Sequence, residues 1–84
     1  MARKLSEKFM QHCIKVLAMN LRATDFYLTV CPHMNMVYLS PGVQLHCGLC
    51  QETHPHLTVT RDDVKSMANG NTPEYVLTYV DSKM

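Results

Sequence analysis

Two short cysteine-bearing turns constrain what this chain can fold into more than any other feature. Cys31-Pro32-His33 follows a β-prone run, residues 26 to 30, rich in aromatic and β-branched side chains. Cys47-Gly48-Leu49-Cys50 follows a second extended run, in which Val43, Leu45 and Cys47 share one face and Gln44 and His46 the other. Three of the five histidines, His46, His54 and His56, crowd around the second turn. The chain has 84 residues, so it holds one domain over 1–84. A domain this small builds a limited core and often needs a metal, disulfides or a partner to hold it.

No apolar run reaches the ~18 residues of a membrane span. Lys8, Gln11, His12 and Lys15 break up any signal-peptide core near the N-terminus. The expectation is a soluble cytoplasmic or otherwise intracellular protein with no membrane partner, where structural disulfides are disfavoured.

Residues 4–22 read as an amphipathic helix. At 100° per residue, Leu5, Phe9, Met10, Cys13, Ile14, Val16, Leu17 and Leu21 cover about half the circumference. Lys4, Lys8, Lys15 and Arg22 lie opposite. Cys13 reads as core, and His12, at the edge of the apolar face, as a solvent-side residue. The strand-rich part spans 26–60. Residues 34–39 and 56–60 are further strand candidates, and Ser40-Pro41-Gly42-Val43 has the composition of a type II turn.

Helix signals then return. Thr60 is a plausible N-cap, Asp62 and Asp63 suit a first turn, and Asn69-Gly70 suits a stop. A helix is predicted over 61–68. Thr72-Pro73-Glu74 looks like another helix start, although residues 75–80 are strand-rich in composition. Region 61–82 is thus helical or helix plus strand, with helix favoured for 74–82. The fold class is α+β: an N-terminal amphipathic helix, a small antiparallel sheet, and one or two short C-terminal helices.

The two cysteine turns resemble the two-knuckle plan of small zinc-ribbon-like sites. In such sites, two strand-end turns each supply two ligands to a tetrahedral ion. That resemblance covers about residues 31–50 and implies one structural zinc held by Cys31, His33, Cys47 and Cys50. The first turn is C-x-H, one residue shorter than the usual C-x-x-C. His54 or His56 is therefore a substitute for His33, and the identity of the fourth ligand stays open. His46 points to the opposite strand face from Cys47 and suits the surroundings of a site better than ligation.

The competing reading of Cys47 and Cys50 is thiol redox chemistry. That chemistry gains from a helix N-terminus at the first cysteine, and the residues after Cys50 lack helical periodicity. Gly42, Gly48 and Gly70 form no phosphate loop. Asp62 and Asp63 are explained by capping, and no catalytic residues are assigned. The chain is expected not to be an enzyme.

A zinc-stabilised interaction or regulatory module binding a protein partner is the favoured function, with a homodimer as one form of it. The apolar face of the first helix exceeds the partner surface available in so short a chain. Tyr27, Tyr38, Tyr75 and Tyr79 are candidate contact aromatics. The alternative is nucleic-acid binding through Lys4, Lys8, Lys15 and Arg22. Net charge is +1 overall, but residues 1–22 carry five bases and one acid, 5 − 1 = +4, and residues 23–84 carry 3 − 6 = −3. A further alternative is a metal-free domain or a C-x-x-C redox protein.

Overall fold

The computed structural model describes residues 7–34, 36–42 and 54–83. The element order is α1 (Glu7–Met19), β1 (Asp25–Cys31), β2 (Met36–Ser40), β3 (His56–Thr60), α2 (Arg61–Ala68) and α3 (Glu74–Lys83). The three strands form one antiparallel sheet in the order β2-β1-β3. This is an α+β architecture.

Registration follows the alternation of side chains along β1. Phe26, Leu28 and Val30 lie on one face; Phe26 pairs with Val59, and Leu28 pairs with both Leu39 and Leu57. Sliding either neighbour by one residue would turn its apolar set to the wrong side. The helices bring Phe9, Cys13 and Val16 from α1, Val64 and Met67 from α2, and Val76 and Val80 from α3 to the same core. Phe26, Leu28 and Met67 are its largest fully buried side chains. Each is worth about 1.5–3 kcal/mol in transfer from water.

The helix predicted over 4–22 occupies Glu7–Met19; residues 4–6 lie outside the described ones. Its C-terminal end comes earlier than the apolar pattern suggests, because the chain turns at Asn20. The Asn20 side-chain amide donates to the Val16 carbonyl at 2.9 Å. Leu21 and Arg22 therefore follow the helix in a turn, and the basic row is not one continuous helix face. Strand β2 begins and ends later than the 34–39 segment predicted. The predicted strand over 43–47 lies outside the described residues.

The turn after β2 is not type II. That turn needs positive φ at Gly42, and among the described glycines only Gly70 has it. The Ser40 hydroxyl instead donates to the Gly42 carbonyl at 2.8 Å.

Helix α2 starts and stops where its signals place it. Thr60 Oγ1 accepts from the Asp63 amide at 3.3 Å. At the other end, Gly70 takes φ +88°. The Gly70 amide donates to the Met67 carbonyl at 3.1 Å and the Asn71 amide to Ser66 at 2.8 Å. Those two bonds make a Schellman stop, for which glycine is the favoured residue. Helix α3 takes the 74–82 region despite its strand-rich composition. The Pro73 carbonyl accepts from the Val76 and Leu77 amides, and Val76 and Val80, four apart, reach the core together. Helical spacing of buried valines has outweighed β-propensity.

His12 is half-buried, which corrects its reading as a solvent-side residue. The Leu39 amide donates to His12 Nε2 at 3.0 Å, and the Leu39 carbonyl lies 3.3 Å from the same nitrogen. Among the described residues β2 is an edge strand, and this imidazole covers backbone groups on its outer side. His12→Ala is expected to lower the unfolding free energy by about 1–3 kcal/mol. Urea unfolding checks the loss, and faster hydrogen exchange at the Leu39 amide would locate it.

Candidate metal centre

The end of the sheet where β1 finishes is also where β2 and β3 begin. Cys31 closes the β1–β2 hairpin against Met36, and Pro32, His33 and Met34 make the turn. β3 enters with His56 opposite Thr29, so His54 arrives at the same end from the other edge. The rings of His33 and His54 stack there, with centroids 5.9 Å apart and planes inclined by 27°. Two imidazoles bound to one ion through bonds of ~2.0–2.1 Å place their ring centres at a comparable separation.

Cys31 has no accessible surface, although it is not part of the core facing the helices. Alternation along β1 places it on the opposite face with Tyr27 and Thr29. His56 does something else. Its ring meets Tyr27 edge-on at 5.1 Å, with planes at 90°. Of the two histidines that could substitute for His33, His54 is thus the one brought to it.

Cys47, Cys50 and His46 lie outside the described residues. Among the described residues, no group of three or more His, Cys, Asp or Glu side chains is gathered as for a metal ion. The described part contributes the His33–His54 pair and, two residues before His33, the buried Cys31. The zinc-ribbon character of the sheet is not shown. The sheet itself is a core sheet, packed on one face by three helices.

Cys13 differs from these groups. It lies wholly within the helix-facing core. Burial pushes its thiol up to about 12, partly opposed by a backbone hydrogen bond. The reactive thiolate is therefore suppressed at neutral pH. Alkylation of Cys13 at pH 7.5 to 8 is expected to follow global unfolding, at least about 100-fold slower than in denaturant. Mass-resolved labelling with iodoacetamide checks it, and labelling at the unfolded rate would contradict it.

Arg61 is the residue that sequence reasoning missed. Its backbone amide donates to the Thr24 carbonyl at 2.9 Å. Its guanidinium donates to the carbonyls of Asn20 at 2.8 Å, Ala23 at 2.9 Å and Leu17 at 3.3 Å. It also lies 6.0 Å from the Phe26 ring centroid. A cation in the first turn of α2 opposes the dipole of its own helix. That misfit was the available signal, and the C-terminal end of α1 explains it.

Of the four tyrosines singled out in the sequence, Tyr75 is the most exposed, at 43%; Tyr27, Tyr38 and Tyr79 are half-buried. Tyr75 donates to Asp63 and so ties α3 to α2. Partial burial, with the hydrogen bond and negative charge of Asp63, pushes its phenol up to about 12.

No helix among the described residues is long and apolar enough to cross a membrane. Comparison with models of protein families, with curated proteins and with solved structures finds no match.

Proposed function

We propose that this chain is a small zinc-stabilised interaction or regulatory module of the cell interior, acting by binding a protein partner and not by catalysis. One structural zinc would be held by Cys31, His33, Cys47 and Cys50, with His54 as the alternative to His33. The observation that supports it is the stacking of His33 and His54 beside the turn that carries Cys31. An ion held by one of these two histidines, with the other ring packed beside it, would account for their meeting at this end of the sheet. Thiolate and imidazole together suit zinc, and the ion would bind the β1–β2 turn to the entry of β3.

Zinc affinity of single variants tests this ligand assignment. His33→Ala or His54→Ala is expected to weaken binding by about 10-fold or more, whichever of them ligates or orients the other. His56→Ala, whose ring is engaged with Tyr27, is expected to change it less than about threefold. Competition against a chromogenic chelator measures all three. An effect confined to His56 would overturn the assignment. Unchanged zinc binding after loss of both Cys47 and Cys50 would overturn the site.

A further inference from the structure

Met36 stands opposite Cys31 in the ladder between β1 and β2. Side chains paired across antiparallel strands point to the same face, with Cβ atoms ~4.5–5.5 Å apart. The Met36 thioether and the Cys31 thiol therefore share the face turned away from the helices. Two side chains this close can reach one ion through metal–sulfur bonds of ~2.3 Å. Met36 is 43% exposed and takes no part in the core, so burial does not account for a methionine there. His33 follows Cys31 in the hairpin turn, and its ring stacks on that of His54. A thiol, a thioether and an imidazole pair are thus gathered at one end of the sheet.

Charge and softness decide which ion this set suits. Cys31 is the one cysteine that the described residues bring to this end, since Cys13 lies in the helix-facing core. A single thiolate leaves a divalent ion with an excess positive charge beside a residue that has no accessible surface. Uncompensated buried charge is costly. The same thiolate neutralises a monovalent ion completely. Thioether sulfur is a soft ligand, and thiolate with thioether selects Cu(I), whereas zinc is held by thiolate, imidazole and carboxylate. We propose that Cys31, Met36 and one imidazole of the His33–His54 pair bind a single Cu(I) ion. The Cys31 thiol gives its proton to water as the copper–sulfur bond forms, and the metal stays Cu(I), so no electron is transferred. Cys47 and Cys50 are not required. The zinc proposed above would use the same Cys31 sulfur, so the two ions exclude one another there. This inference goes beyond the zinc reading and does not rest on it.

The test is an anaerobic titration of Cu(I) into the metal-free full chain carrying Cys47→Ser and Cys50→Ser, in competition with bicinchoninate. The double substitution removes the competing thiolates outside the proposed set. About one Cu(I) per chain is expected to bind. Met36→Leu, which keeps the apolar volume and loses the sulfur, should weaken it at least about 10-fold. Met34→Leu, in the turn and not paired with Cys31, should change it less than about threefold. In the chain with all its cysteines, Met36→Leu should leave zinc affinity within about twofold, because thioether is not a zinc ligand. Absence of Cu(I) binding in the double variant would overturn the proposal. So would equal affinity after Met36→Leu, or a larger effect of Met34→Leu. Should the double variant fail to fold, the Met36 methyl resonance of the wild-type chain, assigned by its loss in Met36→Leu, gives a second readout. Excess Cu(I) should shift that resonance, and an unmoved signal would overturn the proposal. A chain that binds Cu(I) through Met36 but takes up no zinc would sink the zinc reading alone.

Discussion

Arg61→Ala is expected to lower the unfolding free energy by about 3 kcal/mol. The side chain gives up three hydrogen bonds to carbonyls of Leu17, Asn20 and Ala23 at the end of α1. Bonds from a charged donor are worth about 1.5–3 kcal/mol each, but bonds sharing one guanidinium are not additive. The loss also frees the segment that leads from α1 into β1. For a domain of this size the melting temperature should fall by ~12–24 °C. Arg61→Lys should recover less than about half, because an ammonium lacks the planar fork that spans several carbonyls. Thermal melts of the two variants decide it. A lysine variant as stable as wild type would show that charge alone, not the fork, holds the helix end.

Removal of the proposed zinc carries the second large expected effect. A structural zinc supplies folding free energy directly, since the unfolded chain offers no preformed site. Chelation is expected to cost at least about 5 kcal/mol, a large share of the ~5–15 kcal/mol that holds a typical domain. The effect should be graded across the molecule. Amides of β2 near Met36 and of β3 near His56 flank the site and should lose hydrogen-exchange protection first. The core around Phe26, Met67 and Val76 lies on the other face and should lose protection last. Acid should mimic the chelator, because thiolate and imidazole ligands release metal as they take up protons. Stability should therefore fall together with bound zinc as pH drops. A chelator that leaves the melt unchanged would remove the staple from this account.

At the alkaline end Tyr75 supplies a separate, smaller dependence. Its phenol is held above the ordinary value of 10.0, at about 12. A group bound more tightly to its proton in the folded state stabilises that state while pH stays below 10.0, and the contribution disappears as pH rises through about 12. Tyr75→Phe should flatten that part of the stability profile.

Local chemistry was legible in the sequence wherever a few adjacent residues settle it. Thr60 and the Asn69-Gly70 pair bound α2, and Thr72-Pro73-Glu74 starts α3, because caps act over one turn of chain. Position along the chain also made Cys31 and His33 recognisable as a strand-end turn. What could not be read was decided by distant partners. The early end of α1 is set together with Arg61, about forty residues away along the chain. His12 looks like a surface residue until β2 brings Leu39 beside it. The excess apolar face was visible in the pattern of α1. Which residues remain uncovered depends on how the helix rolls against the sheet, and that roll leaves out Ile14 and buries Cys13.

The same distinction applies to the candidate metal centre. The sequence left His54 and His56 as equal candidates to substitute for His33. They separate only because β3 joins the sheet beside β1, with His56 in register with Thr29. Alternation then turns His56 toward Tyr27, while His54, just before the strand, meets His33. A two-residue difference in chain position becomes a difference in chemistry through strand order, which no local motif encodes.

The metal content of untagged protein, purified without added metal, bears most directly on the central claim. The comparison is a variant carrying Cys47→Ser and Cys50→Ser. Elemental analysis should find about one zinc per chain in the wild type and little in the variant, with the variant melting at lower temperature. Well-folded wild-type protein without zinc, or a variant that keeps its full complement, would contradict the account.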